Sequence, residues 1–198
     1  MSNTIKVLAL VGSLRAASIN RQIAELAVAV APDGVTVRVF EGLGELPFYN
    51  DEIDPAVGAD VQHAPAPVEA LRAAAAAADA ALVVTPEYNG SYPAVIKNAI
   101  DWLSRPFGDG ALKDKPLAVI GGSFGQYGGV WAHDDARKSA RIAGATVLDD
   151  LKLSVPAAQT RFASVHPVDD EEIALTMPEI LTSLGAAVLS GDGRGSGE

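Results

Sequence analysis

Apolar residues fall along the chain in two alternating rhythms. Ile5 to Gly12, IKVLALVG, is an almost unbroken apolar run, as expected of a strand covered on both faces. Ile19, Ile23, Leu26, Ala27 and Val30 then recur at three- and four-residue spacings, one face of a helix, until Pro32, Asp33 and Gly34 stop it. Val35 to Phe40 alternates with period two and predicts a second strand. Glu41 to Pro65 has no period, and a loop of that length is often functional or part of an interface. Pro67 to Ala81 is alanine-rich and predicts one helix, alanine being the best helix former. A third strand follows over Ala81 to Pro86. Pro93 to Ser104 then sets Val95, Ile96, Ala99, Ile100 and Leu103 on one helical face. Pro116 to Ser123 predicts a fourth strand running into glycines, Val130 to Ala143 a helix, and Thr146 to Asp149 a short fifth strand. The last helix is expected to end near Leu189, with Pro178 either starting or kinking it.

Helices between successive strands predict a parallel sheet covered on both faces. With no repeat and no boundary visible, residues 1–190 read as one domain and the glycine-rich 191–198 as a flexible tail. Five strands suggest an α/β, flavodoxin-like three-layer fold with a five-stranded parallel sheet of order 2-1-3-4-5. Such sheets bind ligands beyond the carboxyl ends of their strands, so the chemistry of those loops decides the function.

Composition narrows the partners. The chain has 198 residues, 48% of them hydrophobic, and a net charge of -10 without any Lys/Arg cluster. Nucleic acid and anionic membrane are therefore not expected as partners, although one small pocket can be locally positive on an acidic protein. The absence of cysteine excludes disulfides, thiolate catalysis and iron–sulfur or cysteine-zinc centres. The N-terminus reads as a strand rather than a signal peptide, and no run is expected to reach the length of a membrane span, which together predict a cytoplasmic protein.

Three loops at the strand ends carry candidate chemistry. The first, GSLRAASIN, combines a turn-permitting Gly12, the hydroxyls of Ser13 and Ser18, the planar fork of Arg15 and the amide of Asn20. Ser18 stands at an N-cap position, and a helix start presents backbone N–H groups with partial positive charge. Together these form a phosphate cup; the alternative is a capped helix with a surface arginine. The second loop, TPEYNGSYP from Thr85 to Pro93, sets Tyr88, Asn89 and Gly90 where a flat ring can lie. A plain turn is the competing reading, with Glu87 only an anchor or a cap. The third, GGSFGQYGG from Gly121 to Gly129, lets backbone approach a planar ligand and carries Ser123 and Tyr127, but alone it reads more readily as an ordinary loop.

Other site types fit poorly. The first loop lacks the lysine of a P-loop and the later glycines of a dinucleotide fingerprint. Ser123 is not in a nucleophile elbow. His63, His133 and His166 are scattered, and His133 followed by Asp134 and Asp135 is an acidic helix start more readily than a metal site. Strands 1, 3 and 4 are neighbours in the predicted order. Their loops then share one crevice, with phosphate at the first and a planar heterocycle between the others: a mononucleotide such as FMN.

These motifs, GSLRxxSxN, PEYNGSxPxxxKNAIDW and the glycine loop, resemble the NADPH-dependent FMN reductase family over roughly Ile5 to Val155. Its members include flavin, quinone, azo-dye and chromate reductases of flavodoxin-like fold. The resemblance implies FMN as cofactor, with Ser13, Arg15, Ser18 and Asn20 on its phosphate and Ile19 in the same cofactor-binding segment. It implies Pro86, Glu87, Tyr88, Asn89 and Gly90 along the isoalloxazine, and Ser123 and Gly125 at the ring's other edge. It further implies a homodimer or homotetramer with the Pro93–Pro106 helix near the interface. Trp102 then reads either as an interface anchor or as a core residue.

The expected activity is NAD(P)H-dependent: hydride passes to the flavin and then, in a ping-pong cycle, to a small-molecule acceptor such as a quinone, free flavin, azo dye or metal oxyanion. No side chain need act as acid, base or nucleophile, and no metal is expected. A one-electron carrier of the flavodoxin kind, and a flavin-free binding module, are the competing readings.

Overall fold

The computed structural model describes residues 4–192. Six strands form one parallel sheet: β1 (Ile5–Val11), β2 (Val35–Val39), β3 (Ala80–Val84), β4 (Pro116–Gly122), β5 (Thr146–Val147) and β6 (Ser154–Val155). Their order is β2-β1-β3-β4-β5, with β6 also on β4, so the 2-1-3-4-5 sheet is present with one strand more than expected. Residues alternate across the sheet because successive side chains of a strand point to opposite faces. Leu8 and Leu10 of β1, Val83 of β3 and Val119 of β4 face one core with α2 (Ala66–Ala76), α3 (Ala94–Leu103) and α4 (Val130–Ile142). Val7, Ala9, Leu82 and Ile120 face the other, against α1 (Ile19–Ala29) and α6 (Glu171–Asp192); the short α5 (Ala158–Arg161) adds Ala158 there.

The sequence reading needs correction at four places. The alanine-rich helix stops at Ala76, and Ala80 and Ala81 belong to β3. Asp79 turns the chain: its N–H donates to the Lys6 carbonyl and its carboxylate accepts from the Lys6 N–H, which aligns Ala80 with Val7 of β1. Buried pairing with a neighbouring strand overrides alanine's helix preference, which amounts to only tenths of a kcal/mol per residue.

The fifth strand is split. β5 pairs with the start of β4 at Pro116 and Leu117, whereas β6 pairs with its end at Gly121 and Gly122. Two residues are too short to show a period, so β6 left no readable signal.

The last helix runs unbroken through Pro178 to Asp192, two residues into the expected tail; 193–198 lie outside the described residues. A proline inside a helix costs roughly 3 kcal/mol. Here Ile173, Met177, Ile180, Leu181 and Leu184 are buried on the sheet. At roughly 1.5–3 kcal/mol per buried side chain, that face outweighs the lost bond.

This helix is also long and apolar enough by composition to cross a membrane (Glu171–Gly191), contrary to the expectation that no run would be. Its apolar stripe is used in the second core.

The aperiodic 41–65 stretch is pinned rather than free. It holds three short 3-10 turns, and Asn98 of α3 accepts from the Tyr49 N–H (2.9 Å) and donates to the Pro47 carbonyl (2.9 Å). The Trp102 indole donates to that same carbonyl at 2.8 Å, and its ring is fully buried, which makes Trp102 a core residue. Asp54, also fully buried, is held by both terminal nitrogens of Arg72, 2.8 and 2.7 Å away.

Candidate active site

The turn after β1 is shaped by its neighbour. A Cβ on Gly12 would stand 2.6 Å from Thr85 Oγ1 and 3.1 Å from Pro86, so the close approach that this glycine allows is to the chain's own second loop. Beyond it, Ser13 is half-buried and Arg15 exposed, its one contact a 3.4 Å bond to the Ala17 carbonyl. Ser18 occupies the N-cap of α1 with extended backbone, yet its hydroxyl makes no cap bond. The first turn of α1 contains no acidic residue either, so its N–H groups keep their partial positive charge for a ligand.

Asn20 has a structural role beside its expected one. It is buried, its Nδ2 donates to the Gly122 carbonyl at 2.9 Å, and its Oδ1 accepts from the Gly122 N–H at 2.8 Å. The oxygen and one of the two N–H donors of the amide join the first loop to the end of β4. Gly121, just before, has φ +152°, and a Cβ there would run into the Thr85 carbonyl. The ends of β1, β3 and β4 are therefore packed backbone to backbone.

The second loop is tied to α4. The N-cap of helix α4 is Gly129, which has no side chain to cap it, and Glu87 supplies the missing acceptor: its carboxylate takes the Ala132 N–H at 3.3 Å. Ser91 donates to Asp135 (2.8 Å) and Tyr92 to Ser139 (2.7 Å), adding two further ties. Between them Tyr88 is half exposed, and its backbone pairs with Ser91 in a one-residue bridge. Asn89 and Gly90 follow in left-handed conformation at φ 54° and 75°, both exposed.

The glycine loop leans on the segment after β6. Ser123 N–H donates to Val155, Ala158 N–H to Ser123 and Ala157 N–H to Gly125, all at 2.9–3.1 Å. This brings Ala158 and Gln159 to the cleft, a wall that the sequence reading left unassigned. The signal is absent from local pattern because β6 itself was unreadable.

His133 of α4 lies fully buried beneath these loops, with Nε2 3.4 Å from the Thr85 carbonyl and Nδ1 3.0 Å from Ser154 Oγ. A carbonyl only accepts, so Nε2 carries the proton and Nδ1 accepts from Ser154. Burial, reinforced by the nearby Arg137 guanidinium, pushes its pKa down to about 4. Asp134 and Asp135 turn instead to Arg137 and Ser91, and among the described residues no group of His, Asp and Glu is arranged to hold a metal.

The resulting cleft, of about 230 Å³, is bounded at one end by Ser13, Arg15 and Ser18 and at the other by Pro86, Glu87 and Tyr88. It lies beside β1 and β3, where the sheet order reverses, the place where such sheets bind ligands. A larger hollow of 320 Å³ lies between α3 and α4, away from the strand ends.

Residues 5–160 match the model of the NADPH-dependent FMN reductase family. The chain belongs to that family. It is 35% identical to an NAD(P)H-dependent FMN reductase of Pseudomonas aeruginosa, over 91% of this chain and 94% of that one. It is 40% identical to a quinone reductase of Pseudomonas putida, over 70% and 71%. FerB of Paracoccus denitrificans, a flavoenzyme NAD(P)H:(acceptor) oxidoreductase, superposes with a TM-score of 0.80 at 30% identity, over 94% of this chain and 98% of FerB.

The cleft of this FMN reductase family member fits the cofactor. One end offers the free hydroxyls of Ser13 and Ser18, an uncapped helix start and one guanidinium: a donor set without a competing carboxylate, suited to a dianion. Its other end offers an apolar proline and a tyrosine face. Of the twelve expected residues, Ser13, Arg15, Ser18, Ile19, Asn20, Pro86, Glu87, Tyr88 and Ser123 line this cleft. Asn89, Gly90 and Gly125 stand on the flanking loops, outside the lining.

Proposed function

We propose that the protein oxidises NAD(P)H and reduces a quinone-type small molecule through FMN held in this cleft. When bound, FMN supplies the chemistry, accepting hydride from the nicotinamide and passing the electrons on. The chain's residues bind and orient. In this reading Ser13, Arg15 and Ser18 hold the phosphate. Asn20 sets the spacing of two loops, and Pro86 and Tyr88 cover the ring. Asn89, Gly90, Ser123 and Gly125 border it with backbone and small polar groups, and Glu87 fixes the second loop through α4.

The observation that carries this reading is the cleft itself, a phosphate-type donor set and an aromatic wall brought together at the switch point of the sheet. The names of the relatives support the quinone and the nicotinamide. Ping-pong order follows from one open cleft used in turn by donor and acceptor. The same proposal includes the cytoplasm as compartment and a homodimer or homotetramer. The exposed Phe107 and Ile142 beside the hollow between α3 and α4 support self-association.

The test is steady-state oxidation of NADH and NADPH by the FMN-reconstituted protein with 1,4-benzoquinone as acceptor. Parallel double-reciprocal lines are expected. Bound flavin without nicotinamide oxidation would instead make the protein a one-electron carrier.

A further inference from the structure

Asn20 was the one side-chain amide expected on the phosphate, and both of its ends are hydrogen-bonded to Gly122. A phosphate ester carries nearly two negative charges at neutral pH, and Arg15 is the only cationic side chain lining the cleft. Neutral donors must complete its coordination. Ser13 and Ser18 supply two hydroxyls, which leaves room for an amide.

One is present on the opposite wall. Gln159 lies on α5, lines the cleft and is exposed. Its backbone is tethered by the preceding residues. Ala157 and Ala158, just before it, donate to the Gly125 and Ser123 carbonyls, and a Cβ on Gly122 would touch the Ala158 methyl at 3.1 Å. Gln159 is thus carried on a segment clamped to the same β4 end that Asn20 clamps from the other side. The other cleft-lining amide, Asn20, has its oxygen and one of its two N–H donors engaged by Gly122, and the cleft's carboxylate, Glu87, is turned to Ala132.

We infer that Gln159 is a cofactor-binding residue whose amide N–H group donates to the phosphate of FMN, in the role the sequence pattern assigns to Asn20. The inference rests on the phosphate-cup reading of the first loop. It adds that the cup is closed by a residue 139 positions further along the chain than Asn20, within a segment the family motifs leave unassigned.

The experiment is titration of the apo-protein with FMN and with riboflavin, followed by flavin fluorescence, for wild type, Gln159→Ala, Gln159→Glu and Arg15→Ala. One hydrogen bond to the charged phosphate lost should weaken FMN by about tenfold or more in Gln159→Ala and leave riboflavin unchanged. Gln159→Glu, which sets a carboxylate against the phosphate, should weaken FMN further, again sparing riboflavin. Wild-type FMN affinity in both Gln159 variants overturns the inference, and so does an equal loss for both flavins. If that happens while Arg15→Ala still removes the preference for FMN, the cup stands without Gln159. If wild type binds riboflavin as tightly as FMN, the cup itself is wrong and Gln159 falls with it.

Discussion

The amide of Asn20 closes a two-bonded ring on the peptide group of Gly122, 102 residues away in sequence. Both bonds are buried, and both partners are backbone groups at the end of a strand. Asn20→Ala leaves that N–H and that carbonyl without partners, at roughly 1–3 kcal/mol each. Urea unfolding should show a loss of about 2–4 kcal/mol, less whatever water recovers. FMN and riboflavin affinities should fall together, since the loops move and no phosphate contact is specifically removed. A loss confined to FMN would return Asn20 to the phosphate.

Arg15 and Tyr88 stand at opposite ends of the cleft and should separate in the same assay. Arg15 is exposed, with one long bond to the chain, so Arg15→Ala should leave the melting temperature unchanged. A charge-assisted contact contributes about 1.5–3 kcal/mol, so FMN should weaken by roughly ten- to a hundredfold and riboflavin should not. Tyr88→Ala removes ring cover and should weaken both flavins, by about tenfold on the scale of base stacking. Turnover with FMN in excess should also fall, because the ring is less well oriented.

Glu87 caps a helix that has no cap of its own. Glu87→Ala should destabilise by about 1 kcal/mol, the usual worth of an N-cap. Glu87→Gln retains an oxygen acceptor for the Ala132 N–H and should recover most of that in the same denaturation experiment. If Glu87→Gln abolishes turnover at unchanged stability and flavin affinity, the carboxylate has a chemical role beyond the cap.

His133 makes stability depend on pH. Its pKa is pushed from 6.5 in the unfolded chain to about 4 in the fold, so the unfolded state binds the extra proton between these values. The stability it contributes is complete above pH 6.5 and is lost as pH falls toward 4, on the order of 3 kcal/mol in all. Asp54 and Asp170, held below the usual carboxylate range by burial-opposed bonds to Arg72 and Arg161, contribute losses only below about their unfolded pKa near 4. Urea unfolding at pH 5 and pH 7 therefore isolates the histidine. The difference should shrink strongly in His133→Gln; an undiminished slope would place the titration elsewhere.

The order of strands and helices, the 2-1-3-4-5 sheet and the three loops at its carboxyl edge were all legible in the sequence. Each rests on a period, a turn residue or a motif within some ten to twenty residues, where local conformation and the burial pattern agree. Only the tertiary structure decided matters that depend on a distant partner. Ala80 and Ala81 are strand because Val7 and Leu8 lie beside them. β6 exists because β4 has a free edge at Gly121 and Gly122. Asn20 is a clamp because Gly122 comes within 3 Å of it, Glu87 a cap because α4 begins next to it, and Gln159 a wall of the cleft because Ala157 and Ala158 are bonded to the glycine loop. A hydrogen bond between residues 32 to 102 positions apart leaves no trace in the periodicity of either segment. What a polar side chain is for is set by what the folded backbone places against it.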